Sequence, residues 1–197
     1  MSVNTGHVTG VNGNMVNVAF DDSVIKNEVG YIIVGNERLK SEVIRVNNGV
    51  ASVQVYEPTG GIAVGDRVEF TNELLSVELG PGLLTQVFDG LQNPLPELAK
   101  DCGFFLKRGV YLDAIPNDEW EFTALKKKGD KVVAGDTFGT VPEGLFTHQI
   151  MVPFQLPGVW TIAEIKNNGK YKARDIICVI ENQKGEKKEL SMIMTQP

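Results

Sequence analysis

Paired turn residues set the rhythm of this chain. Between residues 6 and 71, glycine adjoins asparagine or aspartate at Asn12-Gly13, Gly35-Asn36, Asn48-Gly49 and Gly65-Asp66. Such dipeptides supply the positive φ that tight hairpins need, and they leave too little chain between them for long helices. The intervening segments alternate apolar and polar residues, as half-buried strands do. GHVTGV (6–11) and MVNVAF (15–20) flank the first turn, and VGYIIV (29–34) ends at the second. RLKSEVIRV (38–46) and VASVQVY (50–56) flank the third, and RVEF (67–70) follows the loop 57–65. Six short strands in so few residues predict a small antiparallel β-barrel, closed on itself and filled by its own side chains.

A second block, 109–197, is also punctuated by turns. Gly129-Asp130 and Gly135-Asp136 bracket Val132-Val133 in KGDKVVAGDTFGTV (128–140 and Val141). Strands are expected at WEFT (120–123), 138–141, 150–152, VWTIAEI (159–165), 171–173, 176–181 and 188–194. Asn167-Asn168-Gly169 and Gln183-Lys184-Gly185 supply further turns.

Between the blocks runs SVELGPGLLTQVFDGLQNPL (76–95). Gly80-Pro81-Gly82 breaks any strand entering from Val77. Leu83, Leu84, Val87 and Leu91 stand at roughly helical spacing, and Asn93-Pro94 with Pro96 ends the segment. A short amphipathic helix and an ordered loop both fit. The expected division is a barrel at 1–72, a linking segment at 73–108 with a hinge near 99–106, and a β domain at 109–197.

Composition narrows the function classes. The 197 residues carry a net charge of −6, which disfavours nucleic acid as the main partner. The first six residues are polar, so no secretory leader is expected, and no apolar run reaches the ~20 residues of a membrane helix. Cys102 and Cys178 read as unpaired thiols of a reducing compartment.

No catalytic constellation emerges. The motifs G-x-x-x-x-G-K-[ST], G-x-S-x-G, H-E-x-x-H and C-x-x-C do not occur in these residues. His7 and His148 lack matching ligands and read as structural or surface residues. Lys126, Lys127 and Lys128 read as a solvated turn, as does the alternating charge of 184–189. Asp21, Asp22 and Glu57 are single loop acids with no partner for acid–base work. Gly60-Gly61 lacks the following helix that a phosphate cradle needs. Trp120 and Trp160 are expected to fill core. No catalytic, cofactor-binding or metal-ligating residue is assigned.

GDKVVAGDTFGTV resembles the hammerhead of lipoyl and biotinyl carrier domains, which place a modified lysine on the next tight hairpin. Here that run reads Pro142-Glu143-Gly144-Leu145-Phe146, without a lysine.

A wider resemblance covers nearly the whole chain. SVELGPGLL with VFDGLQNPL, VQVYEPTGG (53–61) with Gly65-Asp66, Arg108-Gly109-Val110, WEFT, GDTFGTVPE, HQIMVP and Gly169-Lys170-Tyr171 occur in order. Together they resemble the catalytic A subunit (alpha chain) of V-type and archaeal-type rotary ATPases, with its N-terminal β-barrel and its bulge, or non-homologous region. The resemblance implies an N-terminal fragment of an ion-translocating ATPase or ATP synthase, a hydrolase and translocase moving protons or sodium ions. It implies B subunits of an A3B3 ring as partners, possible peripheral-stalk contact, and a cytoplasmic place peripheral to the membrane. ATP and Mg2+ would belong to the parent subunit, with no cofactor in this fragment, because the P-loop lies beyond these residues in the family. A free-standing β interaction module and an inactive lipoyl-like domain are the alternatives.

Overall fold

The computed structural model describes residues 4–103 and 107–197. Expected residues 104–106 of the hinge lie outside this description. Nearly all regular structure is β. The chain forms two compact units, 1–75 with 99–111, and 76–98 with 112–197.

In the first unit six strands close a barrel: β1 (Asn4–Asn12), β2 (Met15–Phe20), β3 (Glu28–Val34), β4 (Glu37–Asn47), β5 (Val50–Val55) and β6 (Arg67–Leu74). Their order around the barrel is β1-β2-β5-β4-β3-β6, all antiparallel. The anticipated hairpin turns stand where the dipeptides put them. Inward residues are mostly valines, with Ile32, Leu39 and Phe70 as the larger fillers. Small branched side chains suit a tight interior, so the barrel is packed solid. Bulges after Val8 and Val43 interrupt the ladders and give the strands the bend that closure demands.

The second unit contains a sandwich of two four-stranded sheets. One has the order β11-β10-β8-β13, the other β15-β14-β12-β9. These are β8 (Glu119–Ala124), β9 (Lys131–Val132), β10 (Thr137–Glu143), β11 (Phe146–Met151), β12 (Trp160–Ile165), β13 (Gly169–Lys172), β14 (Cys178–Glu181) and β15 (Lys187–Leu190). Phe122, Phe138 and Ile150 from one sheet meet Trp160, Ile162 and Ile180 from the other in a single core. A separate two-stranded sheet pairs β7 (Val77–Leu79) with β16 (Met194–Gln196).

One local device recurs in both units. At Ala63–Asp66, Lys127–Asp130 and Val133–Asp136 the last N–H returns to the first carbonyl. The aspartate carboxylate accepts the first residue's N–H at 2.8, 2.9 and 3.0 Å respectively. The third residue is a glycine with φ between 82° and 97°, as a type II turn requires. The Gly-Asp pair is thus a turn with its own side-chain lock.

Of the two alternatives for residues 83–91, the ordered loop forms, because Asp89 takes the N–H groups of Leu91 and Asn93 into a side-chain-capped turn. Two local expectations change. The helix comes next: α1 (Leu95–Cys102) begins directly after Pro94, with Pro96 in its first turn. Proline lacks an N–H where helices have no use for one, so Pro96 starts a helix here and does not forbid it. The single strand expected at 188–194 is cut short: β15 ends at Leu190 on β14, residues 191–193 are not strand, and Met194 opens β16, which pairs with β7.

Candidate functional site

The polar residues that gather in each unit do so around backbone groups. In the first unit, β4 runs four residues beyond its pairing with β5, which begins at Ser41↔Val55. The edge at 37–39 therefore lacks a strand neighbour on that side, while the Lys40 carbonyl accepts the Tyr56 N–H at 3.2 Å. The chain covers it with residues 108–111. Gly109 lies beside the Arg38 backbone, and its φ of 74° is a conformation that favours glycine. The Tyr111 hydroxyl accepts the Lys40 N–H at 2.7 Å and donates to Glu57. Glu57 also accepts the N–H groups of Gly109 and Lys40. Arg108 pairs with Glu37 at 2.6 Å and donates to the carbonyls of Pro58 and Gly60.

Electrostatics follow from this crowding. Burial, then the bond to Glu57, pushes the Tyr111 phenol above its ordinary value. Tyr31, edge-on to Tyr111 with ring centres 6.1 Å apart, is also raised by burial, while Arg38 over its face works the other way. Glu57, read from sequence as an isolated loop acid, is the centre of the clasp. Gly60-Gly61 is part of the loop that Arg108 grips. Arg108-Gly109 follows Glu57 by about fifty residues, and nothing in local patterning connects them.

Glu28 is the other acid that sequence reading missed. It is fully buried and caps the N–H groups of Ile25 and Asn72 at 3.0 and 2.7 Å.

In the second unit the hairpin β10–β11 turns through Gly144-Leu145, since Glu143 and Phe146 are paired. Glu143 is 7% exposed and accepts the N–H groups of Gly82 (2.7 Å) and Leu84 (3.1 Å). Its other oxygen lies 2.8 Å from His148 Nδ1. Gly82 has φ 104°, and a Cβ there would stand only 3.1 Å from Pro116, so glycine suits the position. His148 is therefore a structural partner of Glu143. Beyond this node the hairpin tip projects Leu145, 98% exposed, and Phe146, 63% exposed. The hairpin tip thus presents an apolar pair and no lysine.

Trp160 fills core, its indole N–H donating to the Pro157 carbonyl. Trp120 is half-buried between two apolar clusters. Lys126, Lys127 and Lys128 surround the turn locked by Asp130. His7 lies on β1 opposite Ala19. Cys102 and Cys178 are free thiols, and burial pushes Cys178 up to about 12. Among the described residues no group of three or more His, Cys, Asp or Glu is placed to hold a metal ion. Among them, too, no helix is long and apolar enough to cross a membrane.

This geometry binds backbone and presents surface; its carboxylates are occupied by N–H groups of the chain itself. Comparison with known proteins agrees with a two-part architecture. Residues 8–72 match the model of the ATP synthase alpha/beta family β-barrel domain, and 113–197 match the alpha/beta subunit barrel-sandwich domain. The chain is 52% identical over 198 aligned residues to the V-type ATP synthase alpha chain of Treponema denticola, covering 100% of this chain and 34% of that one. It is 52% identical to alpha chain 1 of Treponema pallidum with the same coverage. It is 53% identical to the alpha chain of Borrelia duttonii over 98% of this chain and 34% of that one. The chain thus spans about a third of the length of these curated relatives.

Proposed function

From the premise that this chain belongs to the ATP synthase alpha/beta family, with that family's barrel and barrel-sandwich domains in order, we propose that it is the scaffolding third of a V/A-type catalytic subunit. The longer subunit would couple ATP hydrolysis or synthesis to proton or sodium transport, from the cytoplasmic face of the membrane. ATP and Mg2+ would be held by the region beyond residue 197. The barrel would tie the subunit to neighbouring B subunits, and the sandwich would reach toward peripheral-stalk subunits.

The observation that carries this reading is the presented apolar surface beside otherwise self-satisfied polar groups. Val64 is 71% exposed on the barrel loop, and Leu145 with Phe146 caps the sandwich hairpin. Exposed apolar groups on rigid supports suit subunit contact, and occupied carboxylates do not suit acid–base work.

Co-purification tests it. The chain, tagged, is mixed with the B subunits and stalk subunits of its own complex. Retention of B by the wild type, loss of B with Val64→Asp, and loss of stalk subunits with Leu145→Asp are expected. Failure of the wild type to retain either class overturns the assignment. Titration of the chain with Mg-ATP is expected to give no binding heat; a measurable site would move the nucleotide into this region.

The barrel-sandwich also favours a carrier-like module as a second reading. Intact mass after expression with lipoate and biotin supplied decides it, since the unmodified mass removes the carrier role.

A further inference from the structure

We propose that residues 108–111 are a removable strap: they guard the open edge of β4 and leave it by a local opening, while the barrel stays closed. Three observations carry this. First, the strap contributes no bond to the barrel ladders, whose register runs β1-β2-β5-β4-β3-β6 without it. Among the described residues, its release breaks side-chain bonds, the Gly109 N–H bond to Glu57 and the ring contacts of Tyr111 with Tyr31 and Lys40. Second, the edge it covers consists of backbone. The Lys40 N–H is taken by Tyr111 and Glu57, and Gly109 sits on the N and O of Arg38. An edge of this kind pairs readily with any extended segment, and proteins commonly cover such edges with a loop. Third, the fastening converges on two side chains. Glu57 receives three donors and Arg108 serves three acceptors. Bonds gathered on one group are lost together, which is the behaviour of a catch.

Opening has two consequences. It bares the backbone of Arg38, while Lys40 keeps Glu57 and Tyr56 as partners, and it adds four residues, up to about 14 Å of extended chain, to the connection leaving the barrel after residue 111.

Native-state hydrogen exchange on the whole chain tests the strap. In Tyr111→Phe, which keeps the ring and removes the hydroxyl, and in Glu57→Gln, the amides of Lys40 and Gly109 are expected to exchange at least tenfold faster. The amides of Val16, Val18 and Val53, inside the ladders, are expected to keep the wild-type rate. Equal acceleration at all five amides would make the strap an inseparable part of the barrel and overturn the proposal. Unchanged exchange at Lys40 and Gly109 in both variants would also overturn it, because the catch would then fasten nothing.

Discussion

The side-chain amide of Gln92 lies along the backbone of Glu78 as a strand would: its oxygen accepts the Glu78 N–H at 2.7 Å and its nitrogen donates to the Glu78 carbonyl at 2.7 Å. β7 has β16 on one side, and Gln92 closes the other at its central residue. Gln92 holds φ 65° to do so. Net hydrogen-bond contributions of about 1 kcal/mol each give Gln92→Ala a loss of about 2 kcal/mol in the unfolding free energy of the second unit. Gln92→Glu keeps size but turns the donor into an acceptor facing a carbonyl, so it should be the less stable of the two. Urea unfolding at equal slope measures both, and a Glu variant as stable as wild type would show that the amide contributes little.

Glu143 offers a similar comparison. Glu143→Ala strands the N–H groups of Gly82, which is half-buried, and of Leu84, which is exposed and can turn to water; an unsatisfied buried group costs about 1–3 kcal/mol. A loss of about 2 kcal/mol is expected in denaturant unfolding. Glu143→Gln retains an oxygen for Gly82 and Leu84. It should recover more than half of that loss.

The phenols predict the alkaline limit of the barrel. Tyr111, Tyr56 and Tyr31 all lie above the ordinary phenol value, burial being the first cause in each. A raised folded pKa stabilises the fold fully below the unfolded value of about 10, and that stability drains away as pH rises toward the folded values. Absorbance at the tyrosinate band is expected to rise together with loss of barrel circular dichroism above that pH. Ionisation of these phenols well before any structural change would contradict their burial.

Cysteine labelling should divide the two thiols. Cys178 is buried and its thiol is pushed up to about 12, so little thiolate forms at pH 8. In Cys102→Ser, a disulfide reagent is expected to modify Cys178 only at the rate of unfolding. Fast labelling of that variant in native buffer would show an opening in the sandwich core.

The strands were legible because each carries its own evidence. Alternation at 15–20 and 50–56 and the dipeptides between them are local, and local signals survive into structure. Six such strands in 71 residues also implied closure. What stayed hidden depends on distance along the chain. Glu57 and Tyr111 are 54 residues apart, and no periodicity reports their bond. Glu28 and Glu143 drew no reading from the sequence because composition cannot show which carboxylate will find orphan N–H groups. Pro96 misled for a different reason: proline stops one helix and starts another, and Asn93-Pro94 with Glu97 in the first turn was the start signal overlooked. The break at 191–193 was invisible because the residues on both sides have strand character and only their partners differ.

The closed barrel has a consequence for how neighbours can recognise it. Except along the strapped edge of β4, its backbone groups are spent on its own circle of strands, and it offers other chains a vocabulary made mostly of side chains. A neighbour's grip on such a surface can be retuned one substitution at a time, with the barrel's hydrogen bonding untouched. Subunits built this way can change their company while keeping their shape.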